Sequence, residues 1–340
     1  MERKKNSLIK EESISGLNNY LIGDNGIPSD REHISEQTQI LNLPEKNYNT
    51  NPPRAIPLII FQEGKFQIPQ EAHDLLTKKE YSKIGIISLV GKYRTGKSFL
   101  LNRVILNIHK KSGFTVAPTF KPCTKGIWIW SEPFIINNKN CPNQFPCFLI
   151  DTEGLGAYVE EINHDSKIFL IAILISSLFI YNSFGAIDEI AITTLSFILN
   201  LSKLIKIKSL SSEDKEEELA EYFPSFLWLL RDFSLKLENM EGKEITEKEY
   251  LESALENKSG NNDMINEKNE VRNLIKAYFP DRDCFTMVRP VEKEDDLQNL
   301  QNLSDSMLRK EFLIHSFFTT YFQLFSITGI TPLLILSKIC

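Results

Sequence analysis

Eight residues, Gly91-Lys92-Tyr93-Arg94-Thr95-Gly96-Lys97-Ser98, stand between an apolar run (84–90) and the helix-like run SFLLNRVILNIH (98–109). They fit G-x-x-x-x-G-K-[ST] in the strand-then-helix setting that the pattern requires. The glycines let the backbone curl so that successive N–H groups point at phosphate oxygens, and the helix beginning near Gly96 adds its positive dipole end. Lys97 is expected to reach the β and γ phosphates of a nucleotide, and Ser98 to offer Mg²⁺ a hard oxygen ligand. The carboxylate for that ion comes from CFLIDTEG (147–154), where an apolar run delivers Asp151 to act through water. Gly154 can then present its N–H to the γ phosphate without a side chain in the way. The expected nucleotide contacts in these two segments are Gly91, Lys92, Tyr93, Arg94, Thr95, Gly96, Lys97, Ser98 and Phe99, then Asp151, Thr152, Glu153, Gly154 and Leu155.

These loops need strands to carry them. Continuous apolar runs at 84–90, 147–150, 226–230 (FLWLL) and 284–288 (CFTMV) suit strands covered on both faces. Each ends just before polar residues, where open α/β sheets bind ligands. The expected class is therefore α/β, a P-loop NTPase with a doubly wound, mostly parallel sheet and helices on both faces. The 340 residues suffice for one large domain of this kind or two ordinary ones. A net charge of −6 argues against a nucleic-acid partner.

Four segments in this order, GKYRTGKSFLLN (91–102), TKGIWIW (124–130), DTEGLG (151–156) and WLLRDFSL (228–235), resemble the large GTPase domain of the guanylate-binding proteins, dynamin-superfamily relatives that include the atlastins. The resemblance implies GTP as ligand and Mg²⁺ as cofactor. It also implies hydrolysis to GDP, with GMP as a further product in some members, and face-to-face homodimerisation through the nucleotide-bound GTPase domain. It makes Thr124 the switch I threonine that closes on Mg²⁺ and the γ phosphate, and residues 151–154 switch II. Arg231 and Asp232 match the family's arginine-aspartate pair, which replaces the N-K-x-D motif of small GTPases. An aspartate carboxylate only accepts, so it can receive both N1–H and the 2-amino group of guanine, a donor pair that adenine lacks. An Arg-Asp pair alone also reads as a surface ion pair; the preceding run 226–230 places it at a strand end.

Arg94 occupies the family's position for an arginine finger supplied from the same chain. With Lys97 already present, a second cation is superfluous for ground-state binding. Charge spread over the transferring phosphoryl group is stabilised by a guanidinium, worth about 10³ to 10⁵ in rate. The alternative is a solvent-facing or structurally paired arginine. The implied catalytic set is Arg94, Lys97, Thr124 and Glu153, with Glu153 acting through the switch network rather than as a simple base. The implied metal set is Ser98, Thr124 and, through water, Asp151. Pro122 stands where many members carry a serine, and it has neither hydroxyl nor N–H. That departure keeps a GTP-binding interaction module with little or no turnover as an alternative. Another P-loop class, such as an adenine nucleotide kinase, is opposed by the Arg231-Asp232 pair.

Residues 1–54 read as a disordered polar arm, 55–325 as the GTPase domain and 326–340 as a tail of uncertain character, with the family's helical domain expected to be absent. The apolar stretch 168–187 contains Ser176, Ser177, Tyr181 and Asn182 and reads as a core helix leading into a strand. The stretch 312–336 reads as a buried helix and irregular tail, with a membrane-associated end as the alternative. The acidic run 211–223 reads as a solvated insertion. No apolar signal segment follows the basic N-terminus, and five scattered cysteines suit a reducing, cytoplasmic setting.

Overall fold

The structure, a computed structural model, describes residues 52–81, 83–106, 108, 113–116, 126–138, 141–155, 162–195, 223–260 and 262–315. In chain order its elements are β1 (Ala55–Gln62), β2 (Lys65–Gln67), α1 (Gln70–Leu76), β3 (Gly85–Gly91), α2 (Lys97–Leu100, continued by a π-turn over Leu101–Ile105) and β4 (Ile127–Trp130). There follow β5 (Phe134–Asn138), β6 (Cys141–Thr152), α3 (Ile162–Ile175), β7 (Leu178–Phe184), α4 (Glu189–Thr194) and β8 (Ser225–Arg231). The last are α5 (Glu247–Ala254), α6 (Asp263–Tyr278), β9 (Arg282–Met287), α7 (Glu294–Gln298) and α8 (Lys310–His315).

The sheet runs β2-β1-β4-β6-β3-β7-β8-β9, with β5 hairpinned onto β6. Its middle is parallel: β3 pairs with β6 and β7, β7 with β8, and β8 with β9. These are the four apolar runs of the sequence plus the strand half of 168–187, whose helix half is α3. The helix ends at Ser176 and Ser177, and Ser177 feeds its N–H to Ile86 O. The flank was not legible in the sequence: β1, β2, β4 and β5 all pair antiparallel. Pro57 of β1 sits at a register shift against β4, a place where a missing N–H is tolerated.

Alternation along the strands sorts the core to two faces. On β8, Phe226, Trp228 and Leu230 pack with Phe169 of α3, Ile192 of α4, Leu251 of α5 and Ile275 of α6. Leu227 and Leu229 face the other way, toward Phe99 to Leu101 of α2 and Phe312 of α8. Helices therefore cover both faces, the doubly wound arrangement. Each fully buried large side chain contributes about 1.5–3 kcal/mol. Under the antiparallel flank, Ile56 and Leu58 meet Ala72 and Leu75 of α1. Among the described residues no helix is long and apolar enough to cross a membrane. Of the stretch 312–336 only the start is described, within α8, where Phe312 is buried. The polar arm up to residue 51, the acidic run 211–222 and the tail lie outside the described residues.

Candidate functional site

Parallel register brings the carboxyl ends of β3, β6, β7 and β8 to one edge. Leu89 pairs with Asp151, Gly91 with Asn182, and Phe184 with Arg231. The loop after β3 is held there by close backbone approach. A Cβ on Gly91 would lie 2.1 Å from the Asn182 carbonyl oxygen, and one on Gly154 would lie 2.2 Å from Cα of Tyr93. Only glycine fits either position. Two backbone hydrogen bonds, Tyr93 N–H to Leu155 O and Leu155 N–H to Gly91 O, both 3.1 Å, zip this loop to the DTEG segment. Thr152 Oγ1 donates to Leu89 O at 3.0 Å, fixing the end of β6 against β3. Arg94 (φ 62) and Gly96 (φ 73) both take left-handed backbone and turn the chain into α2. Phe99 in the first turn of α2 is buried and anchors the helix to the sheet.

Lys97 is 6% exposed. Its Nζ donates to Gly91 O (3.2 Å) and Lys92 O (3.1 Å), which hold the ammonium in the curl of the loop. Burial lowers its pKa from 10.5 to about 8, against the opposing pull of Asp151 and Glu153. Ser98 Oγ donates to Asp151 Oδ2 at 2.6 Å, and Asp151 is fully buried. Two hard oxygen donors, from loops far apart in sequence, thus converge beside the lysine. That donor set suits a small divalent cation and no soft metal.

Arg231 and Asp232 separate in role. Arg231, the last residue of β8, is 3% exposed, and its Nη1 donates to Thr95 O at 3.5 Å. Its guanidinium lies 5.9 Å from the Phe312 ring centroid. Burial lowers its pKa to about 10, partly offset by Asp232. Asp232 follows in left-handed backbone (φ 55), only partly buried, beyond the strand end. Asn182 Nδ2 donates to the same Thr95 carbonyl at 3.0 Å, so that peptide is held from two sides. Thr95 Oγ1 in turn closes on Lys92 O at 2.8 Å.

A family model described as the guanylate-binding protein N-terminal domain matches residues 63–326. The chain belongs to the guanylate-binding protein family. It is 38% identical over 264 residues to human guanylate-binding protein 4, covering 76% of this chain and 40% of that protein. It is 38% identical over 235 residues to mouse guanylate-binding protein 3, covering 68% of this chain and 36% of that one. It is 38% identical over 260 residues to guanylate-binding protein 1 of Chlorocebus aethiops, covering 75% of this chain and 42% of the relative. The matched part therefore spans about two fifths of these relatives' length.

Of the residues expected in a guanylate-binding protein site, 91–99, 151–155 and 231–232 are brought to one sheet edge. Thr124 and Pro122 lie outside the described residues. Two further residues join the site without any signal that spacing could have supplied. One is Asn182, at the end of an apolar run. The other is His164, whose Nε2 lies 3.1 Å from Glu153 Oε2. Glu153 itself is buried, with Oε2 also accepting from Gly126 N–H at 2.9 Å.

Proposed function

We propose that this chain binds GTP and hydrolyses it to GDP, with further cleavage to GMP, as in some family members, the alternative outcome, in a Mg²⁺-dependent reaction that couples to pairing of two copies through this domain. The observation that carries the reading is the 2.6 Å contact of Ser98 with Asp151 beside the buried Lys97, in a chain of the guanylate-binding protein family.

Mg²⁺ would be held by Ser98 Oγ and, through water, by Asp151, with Thr124 as a further ligand. When bound, it neutralises charge on the β and γ phosphate oxygens. The loop N–H groups and Lys97 bind the phosphates, and the phosphates supply the counter-charge that buried Lys97 needs. Gly154 offers its N–H at the γ position. Asp232 accepts from N1–H and the 2-amino group of guanine. Arg231 acts from behind, orienting the Thr95–Gly96 peptide so that the loop keeps its phosphate-facing shape. Arg94, exposed at the left-handed corner of the loop, stabilises charge that develops as water attacks the γ phosphorus and the bond to the β–γ bridging oxygen breaks. Glu153 belongs to the switch network around the attacking water. The setting is cytoplasmic, a reading supported by the odd number and wide scatter of the five cysteines along the sequence.

The experiment is GTP turnover by the purified chain with Mg²⁺ over a range of protein concentrations, with GDP and GMP separated. A specific rate that rises with concentration is expected. A constant specific rate would remove the pairing, and tight GTP binding without turnover would leave an interaction module.

A further inference from the structure

We infer that His164 is a positioning residue for Glu153, holding its carboxylate against the peptide that follows the Thr124 segment; the inference rests on the GTPase reading above. Residues 126 and 153 exchange two hydrogen bonds. Glu153 N–H donates to Gly126 O at 2.8 Å, and Gly126 N–H donates to Glu153 Oε2 at 2.9 Å. The second of these depends on where the Glu153 carboxylate points. His164 holds it there, because its Nε2 reaches the same Oε2 at 3.1 Å. Both donors engage Oε2 and neither engages Oε1.

The imidazole is placed with equal definition. It sits in the first turn of α3, 11% exposed, against a Glu153 side chain that is 7% exposed. Its ring stacks on Phe66 (centroids 5.6 Å apart, 17° between planes) and meets Phe61 at 4.9 Å. The β1–β2 hairpin therefore clamps the ring. A carboxylate only accepts, so Nε2 carries the proton in the Glu153 bond. Nδ1 is buried and has no partner among the described residues, which disfavours a proton there. The geometry thus specifies one tautomer. Glu153 is close enough to Lys97 to raise its pKa, so the pair also borders the phosphate loop. Loss of the His164 donor would let the carboxylate turn from Gly126 and would loosen the link between the two switch segments, with no direct loss of nucleotide contact.

Two variants of the full chain test this. His164→Phe keeps the ring stack on Phe66 and removes the donor, whereas His164→Gln returns an N–H near the Nε2 position. The expected result is a kcat for His164→Phe lower by about 10-fold to 100-fold, the worth of one charge-assisted hydrogen bond, with GTP affinity unchanged. His164→Gln should stay within about 3-fold of wild type, since a neutral donor recovers most of that bond. Wild-type kcat in His164→Phe, or equal losses in both variants, would overturn the inference. Imidazole nitrogen spectra give a readout independent of turnover: His164 should carry its proton on Nε2, and Glu153→Ala should perturb that signal. A proton on Nδ1 would overturn the pairing even in a protein that does not hydrolyse GTP, whereas an Nε2 proton in such a protein would support it while the hydrolase reading alone failed.

Discussion

Replacing Lys97 by methionine should stabilise the nucleotide-free protein while abolishing its response to nucleotide. The lysine is 6% exposed, and burial lowers its pKa from 10.5 to about 8. At about 1.4 kcal/mol per pH unit, the fall from 10.5 to about 8 puts the cost of keeping this ammonium charged at about 3–4 kcal/mol. Methionine removes that cost but takes a donor from Gly91 O and Lys92 O. Each lost bond costs about 1 kcal/mol where water can reach the carbonyl. The net gain at pH 7 is then about 1–2 kcal/mol, or about 2–4 °C in Tm for a domain of this size. The pH dependence is sharper. Between pH 8 and 10.5 the unfolded chain binds more protons at this lysine than the folded one, so wild-type stability from this group rises over that window. The penalty is fully present below pH 8 and gone above 10.5. The advantage of Lys97→Met should therefore be constant below pH 8 and shrink steadily above it. Differential scanning fluorimetry from pH 7 to 10 measures this, and GTP with Mg²⁺ should raise Tm for wild type and not for the variant. A variant more than about 1 kcal/mol less stable than wild type at pH 7, or a gap independent of pH, would refute the reasoning.

Three other substitutions probe separate parts of the site. Arg94→Ala should lower kcat by about 10³-fold or more with GTP affinity little changed, and comparable single-turnover rates would remove the finger role. Asp232→Ala should weaken GTP by about 10-fold to 100-fold and leave ATP untouched in a competition titration, since only guanine offers the paired donors. Gly154→Ala would force a Cβ to within 2.2 Å of Tyr93 Cα, so the phosphate loop must shift, at a cost of about 1–3 kcal/mol in urea unfolding together with weakened GTP binding. Wild-type stability and affinity in that variant would contradict the close packing described.

The parallel half of the sheet was legible because strands buried on both faces are written as unbroken apolar runs, as in GIISLVG and SFLWLLR. The antiparallel half was not, because edge and flank strands carry mixed sequences: β1 contains Pro57, and β6 begins in CPNQFP. The phosphate loop announced itself through local spacing. Asp151 was legible too, at the end of the apolar run before DTEG, and it does meet Ser98; Asn182 was not, since it reaches Thr95 only through strand order. The Arg231-Asp232 pair shows the limit most clearly. Adjacent residues at a strand end point to opposite sides, and sequence alone does not say that arginine turns inward to Thr95 while aspartate passes beyond the edge. His164 is a lone histidine in a helix start, and only the fold brings it to Glu153. The helix after the loop was expected to continue to His109. It instead opens into a π-turn, with Leu106 N–H on Leu101 O at 2.8 Å, where Asn102 turns aside to bind the Phe114 backbone.

The central claim is a Mg²⁺-dependent site that turns over GTP, and phosphate release from GTP and from ATP by the same preparation, with Mg²⁺ and with EDTA, tests it most directly. The account predicts multiple turnovers with GTP and Mg²⁺, none with ATP, and loss of release in EDTA. Equal release from ATP, or release that survives removal of the metal, would contradict it.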